Sequence, residues 1–460
     1  MTLSDEGDDE TLLKPLTRQS LIQYFQEQAS KEKVPRIGLE VEKIGIYTRT
    51  GENATYTGNK GYLAILGKLY EELGWEITKQ KGAYILQLKR GNAYLNLESD
   101  GRIELAGSPH ESIHDLAREF RIHQNEVAEI SDVFGIGWLG IGYHPVSMSK
   151  DIESIPDFRK KLFETYFEHI KKTTGNDFGL AWHKKTAGIH ASIDYVSEKD
   201  FALKAKVFFK ISPILTAMYA NSPFSKKEFN GSMSFRYYVT SKGLISHPVS
   251  KELYDSDFGF EAWIDHALSL PVLYLKKGEK YIYPKISFGE YMENGFDGYY
   301  ATQDDFNLHT KSLWKDVRLK GVIEIRSIDS LPPSMVPSVA ALIKGLAYSD
   351  SSLLALEEMV KHWSHHEYQT LQEDIAKLGT QATIKGEKVL DIAKKLIELA
   401  EEGLKKRAIR DEYERDESYY LEPIKEFIFV KEKSPAEWLV EQWSGEWGHS
   451  FFPVFKWCQY

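Results

Sequence analysis

Cysteine is almost missing: the only one in 460 residues is Cys458. A single thiol excludes an internal disulfide and a cysteine-built zinc cluster, and a position so near the C-terminus argues against thiol catalysis. No apolar run approaches the ~18 residues that a membrane-crossing helix needs. Met1 to Glu10 is acidic and polar, without the apolar stretch of a signal peptide or the arginines of a transit peptide. A soluble, cytoplasmic chain that engages no membrane is therefore expected. Positive charge is in deficit, 58 basic against 68 acidic residues for a net charge of -10, which argues against a general nucleic-acid binder. Linkers rich in Pro, Gly and Ser are absent, as are internal repeats. The expected organisation is an acidic, flexible N-terminus over 1–17 followed by one elaborated domain over 18–460, of which 331–460 is a mostly helical C-terminal layer.

What the chain does have is alternation. Tyr94 to Leu105 reads as a β-hairpin. A two-residue Asp-Gly turn would mix carboxylates with aliphatics on both faces. A three-residue loop, Ser99-Asp100-Gly101 with Gly101 left-handed, instead pairs Glu98 with Arg102, Leu97 with Ile103 and Asn96 with Glu104. That register gathers Leu95, Leu97, Ile103 and Leu105 on one face, and a one-residue slip would bury the carboxylates.

Four more segments share the pattern. Arg36–Glu42 points Glu40 and Glu42 one way, and Gly188–Asp194 does the same with His190, Ser192 and Asp194. Ser232–Tyr237 reads as a strand with Ser234 and Arg236 together, and Gly321–Ser327 places Glu324 and Arg326 on one face, about 7 Å apart along the strand. Each strand alone fits a solvated sheet face. Together, on an antiparallel sheet backed by helices, they form a site.

Helices are expected over 60–73, from a Ser108-Pro109-His110-Glu111 start to about Val133, and over 157–173, 198–220, 259–268, 335–362, 366–377 and 385–405. Gly135-Ile136-Gly137-Trp138-Leu139-Gly140 matches a dinucleotide-binding string, but a helix precedes it and no helix follows, so its glycines are read as strand packing. His365 and His366 are adjacent and do not share a helix face. In the Lys-rich helix, Leu390, Ala393, Leu396, Ile397 and Leu404 are expected inward.

Converging carboxylates repel one another unless cations neutralise them. Oxygen ligands with one imidazole suit Mg²⁺ or Mn²⁺ better than Zn²⁺ or copper. With Arg236 and Arg326 on the same face, the residues point to metal-dependent phosphoryl transfer on an acidic substrate.

The segments Gly38–Lys43, Leu97–Pro109, Gly137–Gly142, Ala220–Phe224, Ser234–Arg236, Val317–Arg326, Pro435–Glu437 and Gly445–Gly448 together resemble the glutamate–cysteine ligases, in particular the plant-type branch also found in bacteria. The resemblance implies an α+β fold like that of glutamine synthetase, with an antiparallel sheet whose concave face carries Mg²⁺ (or Mn²⁺) and helices on the other face. It implies ATP as co-substrate, a γ-glutamyl phosphate intermediate, and attack by the amine of cysteine to give γ-glutamylcysteine, the first step of glutathione synthesis. A ligase of the same fold with another amine acceptor is the alternative, and a monomer or homodimer is expected. By position, Glu40, Glu42, Glu98, Glu104, His190 and Glu324 match metal ligands, and Arg326 with Glu324 the catalytic pair. Arg236, with Asn221 and Ser234, matches substrate binding. The chain departs from the plant pattern in lacking regulatory cysteines, in carrying His190 where plant sequences have Gln, and over 411–433.

Overall fold

The computed structural model describes residues 16–29, 34–99, 102–243, 258–278 and 280–460. The expected loop residues Asp100 and Gly101, and residues 1–15 of the expected flexible N-terminus, lie outside them. Thr17, at the end of that stretch, is ordered and caps the helix Arg18–Gln28 through a capping box with Ser20.

The architecture is α+β, built on a nine-stranded sheet. Its strands are β1 (Ile37–Tyr47), β2 (Glu76–Lys81), β3 (Tyr84–Arg90), β4 (Ala93–Glu98), β5 (Arg102–Ala106), β6 (Ile136–Leu139), β7 (Gly188–Ile193), β8 (Val317–Leu319) and β9 (Ile323–Asp329). They run in the order β8-β9-β7-β1-β5-β4-β3-β2, with β6 joining the far end of β1. The pairs are antiparallel. The β4–β5 hairpin has the register of the three-residue loop: Glu98 faces Arg102, Leu97 faces Ile103 and Asn96 faces Glu104. Leu95, Leu97, Ile103 and Leu105 are buried in the main core with Ile113, Leu116 and Phe120 of the helix Ile113–Asp132. Each such aliphatic contributes about 1.5–3 kcal/mol over leaving it exposed, so a slipped register would lose this burial and desolvate the carboxylates together.

The registers bring the polar residues into one band. Glu40 pairs with His190 across β1–β7, Glu42 with Glu104 across β1–β5, and Glu324 with Ser192 across β9–β7. Further along β1, Ile44 and Ile46 lie on the same face as these acids. They pack in a second core with Trp443, Phe451, Val454 and Cys458. The thiol of Cys458 is buried there, and burial pushes its pKa up, which leaves it unreactive.

Three local expectations need correction. Ser232–Tyr237 is not a strand: a helix runs over Phe235–Gly243. The Ser234 carbonyl accepts from the Tyr238 N–H and its hydroxyl from the Tyr237 N–H, so this serine starts a helix where alternation suggested extension. Ser108 does not cap the next helix. His110 still exchanges backbone hydrogen bonds with Ile37, prolonging the sheet, and Ser112 caps instead. The helix expected over 335–362 breaks into Val336–Ala347 and Asp350–Val360, bent by 87°, because Ser349 caps the second part. Of the glycines in the dinucleotide-like string, Gly140 does serve packing, since a Cβ there would stand 1.9 Å from the Leu331 carbonyl oxygen, whereas Gly135 has open space around it and a left-handed backbone.

The divergent segment 411–433 anchors the C-terminal layer. Lys344 Nζ lies 2.7 Å from both carboxylate oxygens of Glu417, with both side chains fully buried. Glu417 also accepts the N–H of Ile113 at 2.7 Å, which ties this layer to the helix behind the hairpin. Removing one partner strands a charge in the core, so Glu417→Gln is expected to lower the unfolding free energy by about 3–5 kcal/mol, whereas Lys344→Met with Glu417→Leu loses less. Urea titration measures both; a loss below about 1 kcal/mol in the single variant would contradict the anchoring role.

Candidate active site

The polar band forms the floor of a cavity of about 390 Å³. Four strand carboxylates reach it: Glu40, Glu42, Glu98 and Glu104. Cations surround them, with Arg102 from β5, Arg159 and Lys160 from the helix Phe158–Thr174, Arg236 from the helix Phe235–Gly243, and Arg318, Lys320 and Arg326 from β8, β9 and their turn. One wall is aromatic, made by Phe163, Trp182, Tyr274 and Trp314. The ring of Trp314 lies 5.0 Å from that of Trp182, tilted, and meets Phe163 edge-on at 5.1 Å.

Each acid has its own surroundings. Glu324 is fully buried beneath the cavity, with Arg318 Nε at 2.6 Å, Lys320 Nζ at 2.7 Å and Arg326 Nη1 at 2.9 Å. Burial alone would raise its pKa, but Arg318, Arg326 and Lys320 overcome that and hold it well below the usual range. Glu98 is held down to about 2 in the same way, by Lys160 at 3.1 Å and by Arg102 and Arg159, against the effect of burial. Glu42 accepts the N–H of Gly188 at 2.6 Å and faces Arg102 at 3.3 Å. Arg102 is itself pinned by donating to the carbonyls of Thr186 and His183.

Glu104 is the exception. Asn96 donates to it at 2.7 Å, but burial and the nearby charges of Glu40, Glu98 and Glu42 push its pKa well above the carboxylate range. His190 Nδ1 is 2.9 Å from Glu40 and 3.4 Å from Arg326 Nη1. Burial and Arg326 depress its pKa, so at neutral pH it is an uncharged imidazole able to ligate. One ligand atom from each of Glu40, Glu104 and His190 lies within 4.8 Å of the others, and this is the group among the described residues shaped for a metal ion. The chemistry of the donors fits a hard divalent cation, whose charge would relieve the repulsion on Glu104.

The expected site residues are thus mostly together: Glu40, Glu42, Glu98, Glu104, His190, Arg236 and Arg326 line one cavity, with Glu324 directly under it. Asn221 and Ser234 are not brought to it. Both are buried, Asn221 donating to the carbonyls of Gly140 and Ser330, and Ser234 to Asp329. Sequence reasoning missed Arg318 and Lys320. The alternation of Val317-Arg318-Leu319-Lys320 opposite Glu324 could have found them, since Arg318 and Glu324 are register partners. Arg159, Lys160, Trp182 and Trp314 lie outside the sheet, and no local pattern marks them.

The raised pKa of Glu104 has a measurable sign. It keeps a proton at pH values where an ordinary Glu is ionised, and a bound cation would expel it. Apparent Mg²⁺ affinity should therefore rise with pH, with proton release on binding. Glu104→Gln should weaken binding at least about tenfold and abolish that release. Calorimetry in two buffers of different ionisation enthalpy checks both; unchanged proton release in the variant would remove Glu104 from the metal group.

The chain matches the family model described as glutamate-cysteine ligase family 2 (GCS2) over residues 36–451. It is 29% identical to the chloroplastic glutamate–cysteine ligase of Solanum lycopersicum over 449 residues, covering 96% of this chain and 83% of that protein. The chloroplastic enzyme of Arabidopsis thaliana is 29% identical over 448 residues, again 96% and 83%. Among solved structures, the glutamate–cysteine ligase of Francisella tularensis in complex with AMP shares the fold at 13% identity, with a TM-score of 0.52 over 91% of this chain and 86% of that one. A bifunctional glutathione synthetase from Pasteurella multocida is similar over 93% of this chain and 51% of its own, at 13% identity and a TM-score of 0.50. With strand registers that gather its acids on one sheet face and a family match spanning nearly its whole length, the chain belongs to glutamate-cysteine ligase family 2.

Proposed function

We propose that the protein joins the γ-carboxylate of glutamate to the amine of cysteine with ATP, through γ-glutamyl phosphate, giving γ-glutamylcysteine, ADP and phosphate. The observation that carries this reading is the division of charge within one cavity, acids on the sheet and cations around them. Phosphorylating a carboxylate brings two anions together, and the protein must neutralise both.

Glu40, Glu104 and His190 would hold Mg²⁺ or Mn²⁺, with Glu42 and Glu98 beside them. The bound cation supplies charge neutralisation on the phosphate oxygens. A triphosphate offers Arg318, Lys320 and Arg326 a new anionic partner. With those cations drawn to it, Glu324 would be free to offer a further oxygen to the metal. Arg326 then stabilises charge on the transferring phosphoryl group, and Arg236 binds a glutamate carboxylate through its planar fork.

The nucleoside has a place beside Glu40. A second cavity of about 520 Å³ shares that residue and is lined by Arg36, Gly38, Ala106, Ser192, Asp194 and Val322. Gly38 pairs with Ser192, and Glu40 with Ala106, so the metal-bearing face continues as a floor of small side chains where a planar base can lie. Glu40 lines both cavities, and the phosphates would cross from one to the other above it.

The test is ADP formation with glutamate present while amino acids are offered singly, with the product identified by mass. Cysteine is expected to stimulate most and to give γ-glutamylcysteine. A different amine that stimulates more would keep the ligase chemistry and replace the acceptor. Arg326→Lys keeps the charge but loses the fork, so kcat should fall about 10²–10³-fold with a smaller change in KM for ATP. Chelation of divalent cations should abolish turnover.

A further inference from the structure

We propose that Asp329 is a positioning residue for substrate binding, acting through Arg236 and not by touching substrate. It sits at the end of β9, its side chain 1% exposed, and does not line the reaction cavity. Its carboxylate accepts three hydrogen bonds: from the Asn221 N–H at 2.9 Å, the Ser222 hydroxyl at 2.6 Å and the Ser234 hydroxyl at 2.9 Å. All three donors are neutral, so they orient the carboxylate and leave its charge uncancelled. The cation facing that charge is Arg236, whose Nη1 lies 3.8 Å from Oδ1.

The same serines hold the arginine's backbone. Ser222 Oγ accepts the N–H of Arg236 at 3.1 Å while donating to Asp329, and Ser234 Oγ accepts the N–H of Tyr237 at 3.2 Å. Two hydroxyls thus lock the first turn of the helix Phe235–Gly243 onto the carboxylate, an arrangement the helix dipole also favours. At the far end of the side chain, Nη2 donates to the main-chain carbonyl of Arg326 at 2.8 Å.

The last wall of the socket is Gly188, the register partner of Asp329 across β7–β9. A Cβ there would come within 2.4 Å of Arg236 Nη2 and 2.7 Å of Cζ. Glycine is needed so that the guanidinium can lie against the strand. Held by a charge, a carbonyl and a bare backbone, the guanidinium keeps one orientation at the cavity that Arg236 lines. Ser234 thus acts on the site through its hydroxyl without reaching it, and Asn221 does so through its main-chain N–H.

The inference rests on the reading that Arg236 binds glutamate, and the experiment separates the two. Steady-state kinetics are measured for Arg236→Ala, Asp329→Asn and the double variant, with glutamate, cysteine and ATP varied in turn. Asp329→Asn should raise KM for glutamate about tenfold to a hundredfold, with kcat and KM for ATP changed less than about threefold. In the Arg236→Ala background it should add almost nothing, because the two act as a unit. Gly188→Ala disturbs the same guanidinium from the opposite side and should give the same KM-selective signature; it carries the test if Asp329→Asn does not fold. If Arg236→Ala leaves KM for glutamate unchanged, the clamp reading falls and the inference with it. If Arg236→Ala raises that KM but neither Asp329→Asn nor Gly188→Ala does, or if Asp329→Asn acts equally in both backgrounds, the positioning role alone is overturned.

Discussion

The structure depends on one electrostatic constraint: side-chain alternation forces several carboxylates onto the same patch of sheet. On β1, Glu40 and Glu42 must share a face, and the registers set them beside His190 and Glu104. No rotation of a single residue relieves this, because turning the acids away would turn Leu39 and Val41 out of the core. The repulsion has to be met by cations, and the chain supplies most of them from other elements. Glu324 has three, Glu98 has Lys160, and Glu42 has Arg102. No cation among the described residues offsets the burial of Glu104 or the neighbouring charges of Glu40, Glu98 and Glu42, so its pKa rises while those of Glu98 and Glu324 fall. The uncompensated negative charge is therefore localised, and it coincides with the group of Glu40, Glu104 and His190.

What was legible in the sequence follows from period. Strand alternation has period two and is read directly, so the β4–β5 register and the sharing of one face by Glu40, Glu42, Glu98, Glu104, His190, Glu324 and Arg326 could be derived before any coordinates. Arg236 reaches the cavity from a helix, not from the strand that alternation suggests. Ser232–Tyr237 alternates over a span too short to separate strand from helix, and Ser234 decides for helix by capping. Asn221 and Ser234 belonged to the right neighbourhood but were assigned the wrong depth. A motif marks which residues cluster, not which of them is one layer removed from the cavity. The aromatic wall is the opposite case, assembled from Trp182 on a helix and Trp314 in a loop, more than a hundred positions apart.

Support for the site comes from both sides of the sheet. Behind it, the helix Ile113–Asp132 backs the hairpin, and the Glu417–Lys344 pair joins that helix to the C-terminal layer. In front, the C-terminal residues return to the face of β1 that also bears the acids. The N–H of Gly140 donates to the carbonyl of Cys458, and the N–H of Tyr460 to the carbonyl of Trp138, so the last residues extend the sheet past β6. The end of the chain thereby covers Ile44 and Ile46 and closes the apolar end of the face whose other end is charged.

Strand β1 carries a further consequence for how such a protein can diverge. Its eleven residues serve three neighbours at once, with Ile37–Val41 on β7, Glu40–Ile44 on β5 and Ile44–Tyr47 on β6. A substitution at one position disturbs one pairing. An inserted or deleted residue in the overlap would invert every side chain beyond it, sending carboxylates into the core and aliphatics into the cavity while breaking registers with two partners. Over this stretch the spacing of residues is constrained by three partners at once, so a change of length costs more than a change of any single side chain outside Glu40 and Glu42.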